Sequence, residues 1–484
     1  MGEDHDPAAR RLVAAGVVDQ PEARLAKAAW AAGPAGEAPR VGVFGSEALS
    51  PAIEAAGGRR LDSAAEATDC EWLGALAEGE TPAGRALARL SREAAAVGAD
   101  AVCSDDLLIE GGRARLRPKP VFDPLLLDGL DYLGGGVLFC RAALSTSDIE
   151  ALASGLRPAA ILKSREEFRV GHLPFPALIA ERASSPVSPD PGAAFQQISI
   201  VTPNRDSPVL IRRMTEGVLR ETTPGPAELI VVDNGSTDGE TLALYRELAN
   251  DDRVRVDMRP APFNFSAMVN SGAKMAMGEA ILLLNNDVEA FEPKWLALMA
   301  ETLARPGVGI VGAKLLFPDR TIQHAGVIVG HGGVAGHDMK GMAEDAEDLL
   351  GRMAVPHQRS AVTAACMLVR REVWEALEGF DEAAFPVAFN DVDFCLRARA
   401  AGWRVALDPR AVLIHHEGKS RRGFSLSGFL RHRRERGALR LRHGTVGMVD
   451  PFENPWRDHD DLKPNVRRPA GPLTMRFRTP ARAV

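Results

Sequence analysis

The chain lacks the features that mark secreted, metal-stapled or membrane-spanning proteins. Its 484 residues hold five cysteines (Cys70, Cys103, Cys140, Cys366 and Cys395), odd in number, widely scattered and without a C-x-x-C pair. That argues against a disulfide framework and against a zinc site of the usual spacing. No apolar run approaches the ~18 residues that span a bilayer; the longest, such as Ala280 to Leu284, are strand-sized. The start, Met1-Gly2-Glu3-Asp4-His5-Asp6, is acidic and leads into no apolar core, so no secretory signal is expected, and Gly2 lacks the Ser or Thr that myristoylation prefers. These absences predict a soluble cytoplasmic protein. Positive charge is not in excess either: 58 Lys and Arg against 65 Asp and Glu leave a net charge of −7. A polyanionic partner such as nucleic acid is therefore not signalled. There is no Walker A sequence, and no GxGxxG between a strand and a helix, which counts against P-loop ATPases and dinucleotide dehydrogenases.

What is present is an ordinary globular composition, 45% hydrophobic and 25% charged, on a chain long enough for two or three domains. Residues 1–40 are Ala- and Arg-rich and read as a helical extension, followed by an α/β segment over 41–182. Ser184-Ser185-Pro186-Val187-Ser188-Pro189-Asp190-Pro191-Gly192 cannot hold a helix or a central strand, so 183–196 reads as a linker. A main domain over 197–425 and a basic tail over 426–484 complete the expected division.

Within the main domain, three apolar runs each end in polar residues. Ile198 to Val201 ends at Thr202-Pro203-Asn204, Leu229 to Val232 at Asp233-Asn234-Gly235-Ser236-Thr237-Asp238-Gly239, and Ile281 to Leu284 at Asn285-Asn286-Asp287. Unbroken apolar strands alternating with helical segments predict a mainly parallel, doubly wound sheet with helices on both faces. Asn, Asp, Gly and Ser are turn formers, and one such ending would mean little. Three in register place polar groups where open α/β sheets bind ligands, outside the carboxyl ends of the strands. Asp287 stands where a hard divalent cation could bridge a carboxylate to substrate phosphates.

Two further segments carry candidate chemistry. In Phe389-Asn390-Asp391-Val392-Asp393-Phe394-Cys395-Leu396-Arg397, Val392, Cys395 and Leu396 share a helical face. Asn390 is the expected N-cap, which puts Asp391 at the helix N-terminus, where carboxylates also serve merely to complement the macrodipole. Ala411 to Ile414 is an apolar run that ends in His415-His416-Glu417-Gly418-Lys419-Ser420-Arg421-Arg422. The His pair could complete a metal shell or contact phosphate, and the basic residues could neutralise a diphosphate or form a solvated turn.

The ordered set Thr202-Pro203, VVDNGSTDG (231–239), NND (285–287), IQHAGVIVG (322–330), AVTAACMLVRR (361–371), GFDEAAFPVAFNDVDFCLRARAAGWR (379–404) and HHEGKSRRG (415–423) resembles family 2 glycosyltransferases of the GT-A fold. The subgroup it resembles is that of bacterial O-antigen and surface-polysaccharide enzymes, rhamnosyltransferase-like ones included, and Asp450-Pro451-Phe452-Glu453-Asn454-Pro455 is similar to that subgroup's end segment. The resemblance implies inverting transfer from a nucleotide-diphosphate sugar to a glycan or lipid-linked acceptor, with Mn²⁺ or Mg²⁺. It implies that Thr202, Pro203 and Asp233 hold the nucleoside, with Asp238 supporting their loop. Asn285, Asn286 and Asp287 occupy the DXD-type motif, with Asp287 as its metal ligand and Asn285 where the family more often has Asp. Asp391 matches the catalytic base. Either His415 or His416 matches the late metal or phosphate ligand, His415 standing nearer the strand end. Direct displacement at an anomeric carbon needs just such a carboxylate and cation.

The first half reads as a degenerate copy of the same unit. Leu76 to Pro82 resembles the stretch from Leu284, and Tyr132 to Arg141 resembles Val362 to Arg371. It has no VVDNGSTD-type loop and no DVD helix. Residues 419–443 hold nine Lys or Arg and one acidic residue, Glu435, a solvated helix face or a peripheral contact with the inner face of the plasma membrane. Rival readings are a non-catalytic scaffold of a polysaccharide assembly complex and a sugar nucleotidyltransferase. The latter would open with a Gly-rich, Arg- and Lys-bearing loop, which the stretch Ser199 to Asp206 is not.

Overall fold

A computed structural model describes residues 6–31, 38–165, 167–183, 185–187, 195–416, 426–458, 461–469 and 471–477. Two helices come first, α1 (Pro7–Ala14), whose N-cap Asp6 accepts from the Ala8 amide, and α2 (Pro21–Ala31). The first sheet begins β1 (Val41–Phe44), α3 (Ser50–Ala55), β2 (Arg59–Leu61), β3 (Trp72–Ala75), β4 (Glu80–Pro82) and α4 (Ala86–Ala96). It continues β5 (Ala101–Glu110), β6 (Arg113–Arg117), α5 (Pro124–Gly129), β7 (Val137–Cys140), α6 (Thr146–Ala153), α7 (Pro158–Ser164) and β8 (Val170–Ala180).

The second sheet begins β9 (Ile198–Asn204), α8 (Pro208–Glu216), β10 (Glu228–Asp233), α9 (Gly239–Leu248) and β11 (Val254–Met258). Then come α10 (Phe265–Met275), β12 (Ala280–Leu284), β13 (Val288–Ala290), α11 (Trp295–Leu303), β14 (Val308–Leu316) and β15 (Ile322–His324). A small ribbon of β16 (Val327–Val329) and β17 (Ala335–His337) precedes β18 (His357–Gln358), β19 (Cys366–Arg370), α12 (Arg371–Ala376), α13 (Asn390–Ala400) and β20 (Arg404–His415). Helix α14 (Leu426–His443) and the short β21 (Arg476–Phe477) follow. No helix among the described residues is long and apolar enough to cross a membrane.

The second sheet runs β11-β10-β9-β12-β19-β14-β20-β13. It is parallel from β11 to β12, as the apolar runs predict, but antiparallel where β19 joins β12 and β14 and where β13 joins β20. The sheet is therefore mixed. The reason is that β19 follows the long 322–365 excursion rather than a crossover helix, so it re-enters against its neighbours. Its two faces are covered by separate apolar clusters, one including Val201, Val232 and Phe394 and the other Val231, Leu282 and Trp295.

The first sheet repeats this plan. It runs β2-β1-β3-β7-β5-β8, with β6 on β5 and β4 on β8. In the same chain order, β1 to β8 take the places of β9, β10, β12, β13, β14, β15, β19 and β20. Each of the matching pairs keeps its direction: parallel for β1 with β2, β1 with β3 and β5 with β8, antiparallel for the rest. Even the register shift between β5 and β8 recurs between β14 and β20. What the first half lacks is any counterpart of α9, β11 and α10; one short 3-10 stretch, Ala64–Asp69, stands between β2 and β3.

Within the basic tail expected over 426–484, the segment after α14 packs into both halves. Asp450, Glu453, Asn454, Trp456 and Arg457 are all buried. Glu453 bonds Arg359 at 2.9 Å on the second half. Asn454 Nδ2 donates to both oxygens of Asp105 (2.9 and 3.0 Å) and to the Lys119 carbonyl (2.7 Å) on the first. The Trp456 ring lies within the first half's core, and β21 pairs with β8. A buried polar group is costly unless paired, so the DPFENPW run is explained by the partners it finds on both halves. The halves also meet directly: Asp123, which caps α5, accepts from the Gln358 amide (2.8 Å) and side chain (2.9 Å).

Candidate functional site

A cavity of about 870 Å³ opens at the carboxyl ends of β9, β10 and β12. It lies there because crossovers on opposite faces leave a crevice outside the strand ends. Helix α10 forms one wall through Phe265 and Met268. It can approach β9 and β10 this closely because position 272 is glycine; a Cβ there would come within 2.4 Å of Val201. Pro203, Asn204, Asn234, Asn285, Asn286, Asp287, Asp391 and His415 all line the cavity.

Of the residues expected to hold the nucleoside, Pro203 lines the cavity while Thr202 and Asp233 are not among its lining residues. The Asp233 carboxylate is fully buried and occupied: the Ser236 amide donates at 2.6 Å, Tyr245 Oη at 2.6 Å, and the Ser236 hydroxyl adds a third bond. Burial, with Asp233 as its partner, pushes the Tyr245 hydroxyl well above its ordinary range and keeps it a donor. Thr202 is buried, and its hydroxyl has no partner among the described residues. Asp238 caps α9, accepting from the Thr241 amide and hydroxyl at 2.8 Å each. The Asp233 and Asp238 side chains hold the 233–239 loop, and Pro203, Asn204 and Asn234 present the wall to the cavity. Asp206, which the sequence reading missed, lines the cavity at φ 42°. It accepts from the Thr237 (2.7 Å) and Asp238 (2.9 Å) amides. The hydrogen bond from the Asp238 amide, and then that from Thr237, holds its carboxyl below the usual range.

At the other end Asp287 and His415 converge. Val288 pairs with His415 across β13 and β20, and the His416 amide donates to the Asp287 carbonyl at 2.9 Å. This backbone register sets His415 Nε2 3.1 Å from Asp287 Oδ1. Gln323 Oε1 sits 2.7 Å from His415 Nδ1, and with Nδ1–H donating to it the neutral ring presents Nε2 as an electron-pair donor beside the carboxylate oxygen. Two electron-pair donors so placed are satisfied by a shared proton or by a cation. His416 turns away, to Glu289 Oε2 at 2.7 Å and Arg213 at 3.2 Å. Asn285 Oδ1 is buried without a hydrogen-bond partner among the described residues, and Asn286 Nδ2 donates to Asn204 Oδ1 at 2.5 Å. No group of three His, Cys, Asp or Glu that could hold a metal gathers among the described residues, so Asp287 and His415 could offer a cation at most two ligands. An oxygen-rich substrate would have to supply the remaining ligands, as suits Mg²⁺ or Mn²⁺ beside a diphosphate. Lys419, Arg421 and Arg422 lie outside the described residues.

Asp391 borders the same cavity as this pair. Helix α13 begins at Asn390, one residue earlier than expected, because Phe389 takes the cap position at φ 60°. Asn390 is freed to bond Ser266 Oγ (3.0 Å) and the Asp391 amide (2.8 Å). Asp391 Oδ2 accepts from the Ala364 amide (3.2 Å) and Oδ1 from the Val392 amide (2.9 Å), so the carboxylate is half-buried and oriented by backbone. Its neighbour Asp393 points the other way and is fully buried. Burial works against the Asp393 charge, but hydrogen bonds from His443 and Arg397 outweigh it and hold the carboxyl below its usual range. The two aspartates thus divide, one opening on the cavity and one anchoring α14.

The QHAG stretch adds positions the sequence reading left without roles. Gln323 orients His415, His324 Nδ1 lies 2.7 Å from His337 Nδ1, and His337 lines the cavity. Gly326 is required: it sits at φ +96°, and a Cβ would fall 2.8 Å from the Arg359 side chain.

Residues 199–374 match glycosyl transferase family 2. An uncharacterized protein of Sinorhizobium fredii is 42% identical over 260 residues, 53% of this chain and 29% of the relative. The O-antigen biosynthesis protein RfbC of Myxococcus xanthus is 41% identical over 254 residues, 51% of this chain and 19% of the relative. This chain thus spans less than a third of either. An N-acetylglucosaminyl-diphospho-decaprenol L-rhamnosyltransferase of Mycobacterium tuberculosis is 28% identical over 226 residues, 41% of this chain and 69% of the relative. The strand-end motifs Pro203-Asn204, Asn234 and Asn285-Asn286-Asp287 lie within the span that matches glycosyl transferase family 2.

Proposed function

We propose that the protein is an inverting glycosyltransferase of surface-polysaccharide synthesis, moving a sugar from a nucleotide-diphosphate donor to a hydroxyl of a glycan or lipid-linked acceptor. The observation that carries this reading is the meeting of Asp287, His415 and Asp391 in one cavity. The names of the Myxococcus and Mycobacterium relatives favour O-antigen-like products and a deoxyhexose such as rhamnose as the transferred sugar.

In this reading Asp391 accepts the proton of the acceptor hydroxyl as its oxygen bonds the anomeric carbon. The bond from that carbon to the diphosphate oxygen breaks on the opposite face, and the configuration inverts. Backbone bonds from Ala364 and Val392 keep the carboxylate aimed. A divalent cation held by Asp287 and His415 would offset the charge on the departing diphosphate. Pro203, Asn204 and Asn234 border the nucleoside space, and Asp206 stiffens its rim.

Asp391→Asn should lower kcat by about 10²–10⁴-fold with donor affinity unchanged, the usual worth of a general base. Asp287→Ala should instead raise the donor KM in a way that added Mn²⁺ partly restores. Retained turnover in Asp391→Asn, or activity undiminished by EDTA, would sink the respective assignment.

A further inference from the structure

The geometry points to a second carbohydrate site: the cleft of the first half holds a neutral glycan and performs no chemistry on it. A cavity of about 350 Å³ opens at Phe44, Leu61 and Ala75, the last residues of β1, β2 and β3. These are the places that Asn204, Asp233 and Leu284 hold in the second sheet. The duplicated fold has therefore kept its crevice, at the small end of the ~300–1,000 Å³ range of ligand sites.

Register shows what the duplicate has lost. Glu80 pairs with Ala180 as Val288 pairs with His415. Gly79 thus stands where Asp287 stands, and Ala180 where His415 stands. The second residue of α7 is Ala159, where the second residue of α13 is Asp391. No group remains at these positions to bind a cation or take a proton. The wall that α10 forms in the second half through Phe265 and Met268 is missing as well, since α10 has no counterpart.

What remains suits hydroxyls. Glu80, 7% exposed, is fixed by the Ala77 (2.8 Å) and Gly135 (3.0 Å) amides. Arg157 lies beside it at 3.4 Å and is braced by Asp131 at 2.9 Å, with its side chain 41% exposed at the mouth. Arg60 is paired with Asp62. Two guanidiniums and two carboxylates line the cleft, so it carries no net charge to attract a diphosphate. A fork of donors next to a fixed carboxylate acceptor matches vicinal hydroxyls, and Leu76 and Leu156 offer apolar surface to the C–H face of a sugar ring.

This inference rests on the proposed function only in naming the ligand a glycan, and direct binding separates the two. The full chain carrying Asp391→Asn, which cannot consume ligand, is applied to an array of neutral bacterial oligosaccharides and titrated with UDP, GDP and dTDP. Binding to a subset of the array is expected. It should weaken about tenfold or more with Arg157→Ala, as loss of a charge-assisted hydrogen bond implies, and nucleotide should not compete. Leu156→Glu at the exposed rim should act likewise should Arg157→Ala fail to fold. Absence of any array binding, binding indifferent to both variants, or competition by nucleotide overturns the second site. Loss of wild-type transfer with the array result intact overturns only the catalytic reading.

Discussion

Single residues decide this site by what holds them. His415 can serve a cation beside Asp287 only through Nε2, and Gln323 favours that by accepting a hydrogen bond from Nδ1–H. Partners of this kind typically change metal affinity by about 10–100-fold. Gln323→Leu should therefore weaken Mn²⁺ binding by that order, read by electron paramagnetic resonance titration of the free enzyme. An unchanged affinity would reduce Gln323 to a packing residue. Asp287, Asp391 and His415 were legible in the sequence because each ends a strand or begins a helix, where the chemistry of an α/β crevice has to lie. Gln323, Asp206 and Glu289 were not, because their value depends on partners such as His415, 92 residues from Gln323, that only folding brings near. The partners of Asp233 were hidden for the same reason: nothing local says that Ser236 and Tyr245 bond its carboxylate.

At the scale of elements, strand ends and helix starts were predicted well and sheet direction less so. Apolar runs at 198–201, 229–232 and 281–284 mark buried strands, but periodicity carries no orientation, and β19 turned out antiparallel to both neighbours. The short strand β18 carries a titratable device. His357 is fully buried between Arg359 and Arg352, with Asp348 nearby. Burial, and then the two guanidiniums, hold its pKa well below the ordinary histidine value, which Asp348 and the Val355 carbonyl only partly offset. His172 on β8 is lowered too, by burial, against the pull of Asp105. A depressed folded-state pKa means the unfolded chain binds the proton first. Stability is therefore full above about pH 6.5 and declines as pH falls below it, ahead of the carboxylates that titrate near pH 4. The unfolding midpoint should be lower at pH 5.5 than at pH 7.5. His357→Gln, compared over the same interval, should flatten the dependence; an equal slope would move the cause elsewhere.

For the whole molecule, the two halves are joined by the buried segment that follows α14. Trp456 donates from Nε1 to the Pro174 carbonyl at 2.9 Å and packs into the first half, while Glu453, three residues earlier, bonds Arg359 in the second. Trp456→Ala should cost about 3–5 kcal/mol, as buried Trp truncations do, and the loss should fall on the first half. Hydrogen exchange should locate new openings in β5 and β8; openings confined to the second half would contradict the clasp. This part was illegible because DPFENPW has no apolar period and its carboxylates Asp450 and Glu453 suggest exposure, while its partners Asp105 and Lys119 lie more than 300 residues away.

The clasp also has a consequence for how the chain is made. The first half is synthesised first, yet Asp105, buried beside His172, lacks the Asn454 amide, and its core lacks the Trp456 ring, until nearly the whole second half has left the ribosome. Domains generally fold as units in the order they emerge. Here the earlier unit waits on the later one, so the halves mature together and neither is presented finished without the other.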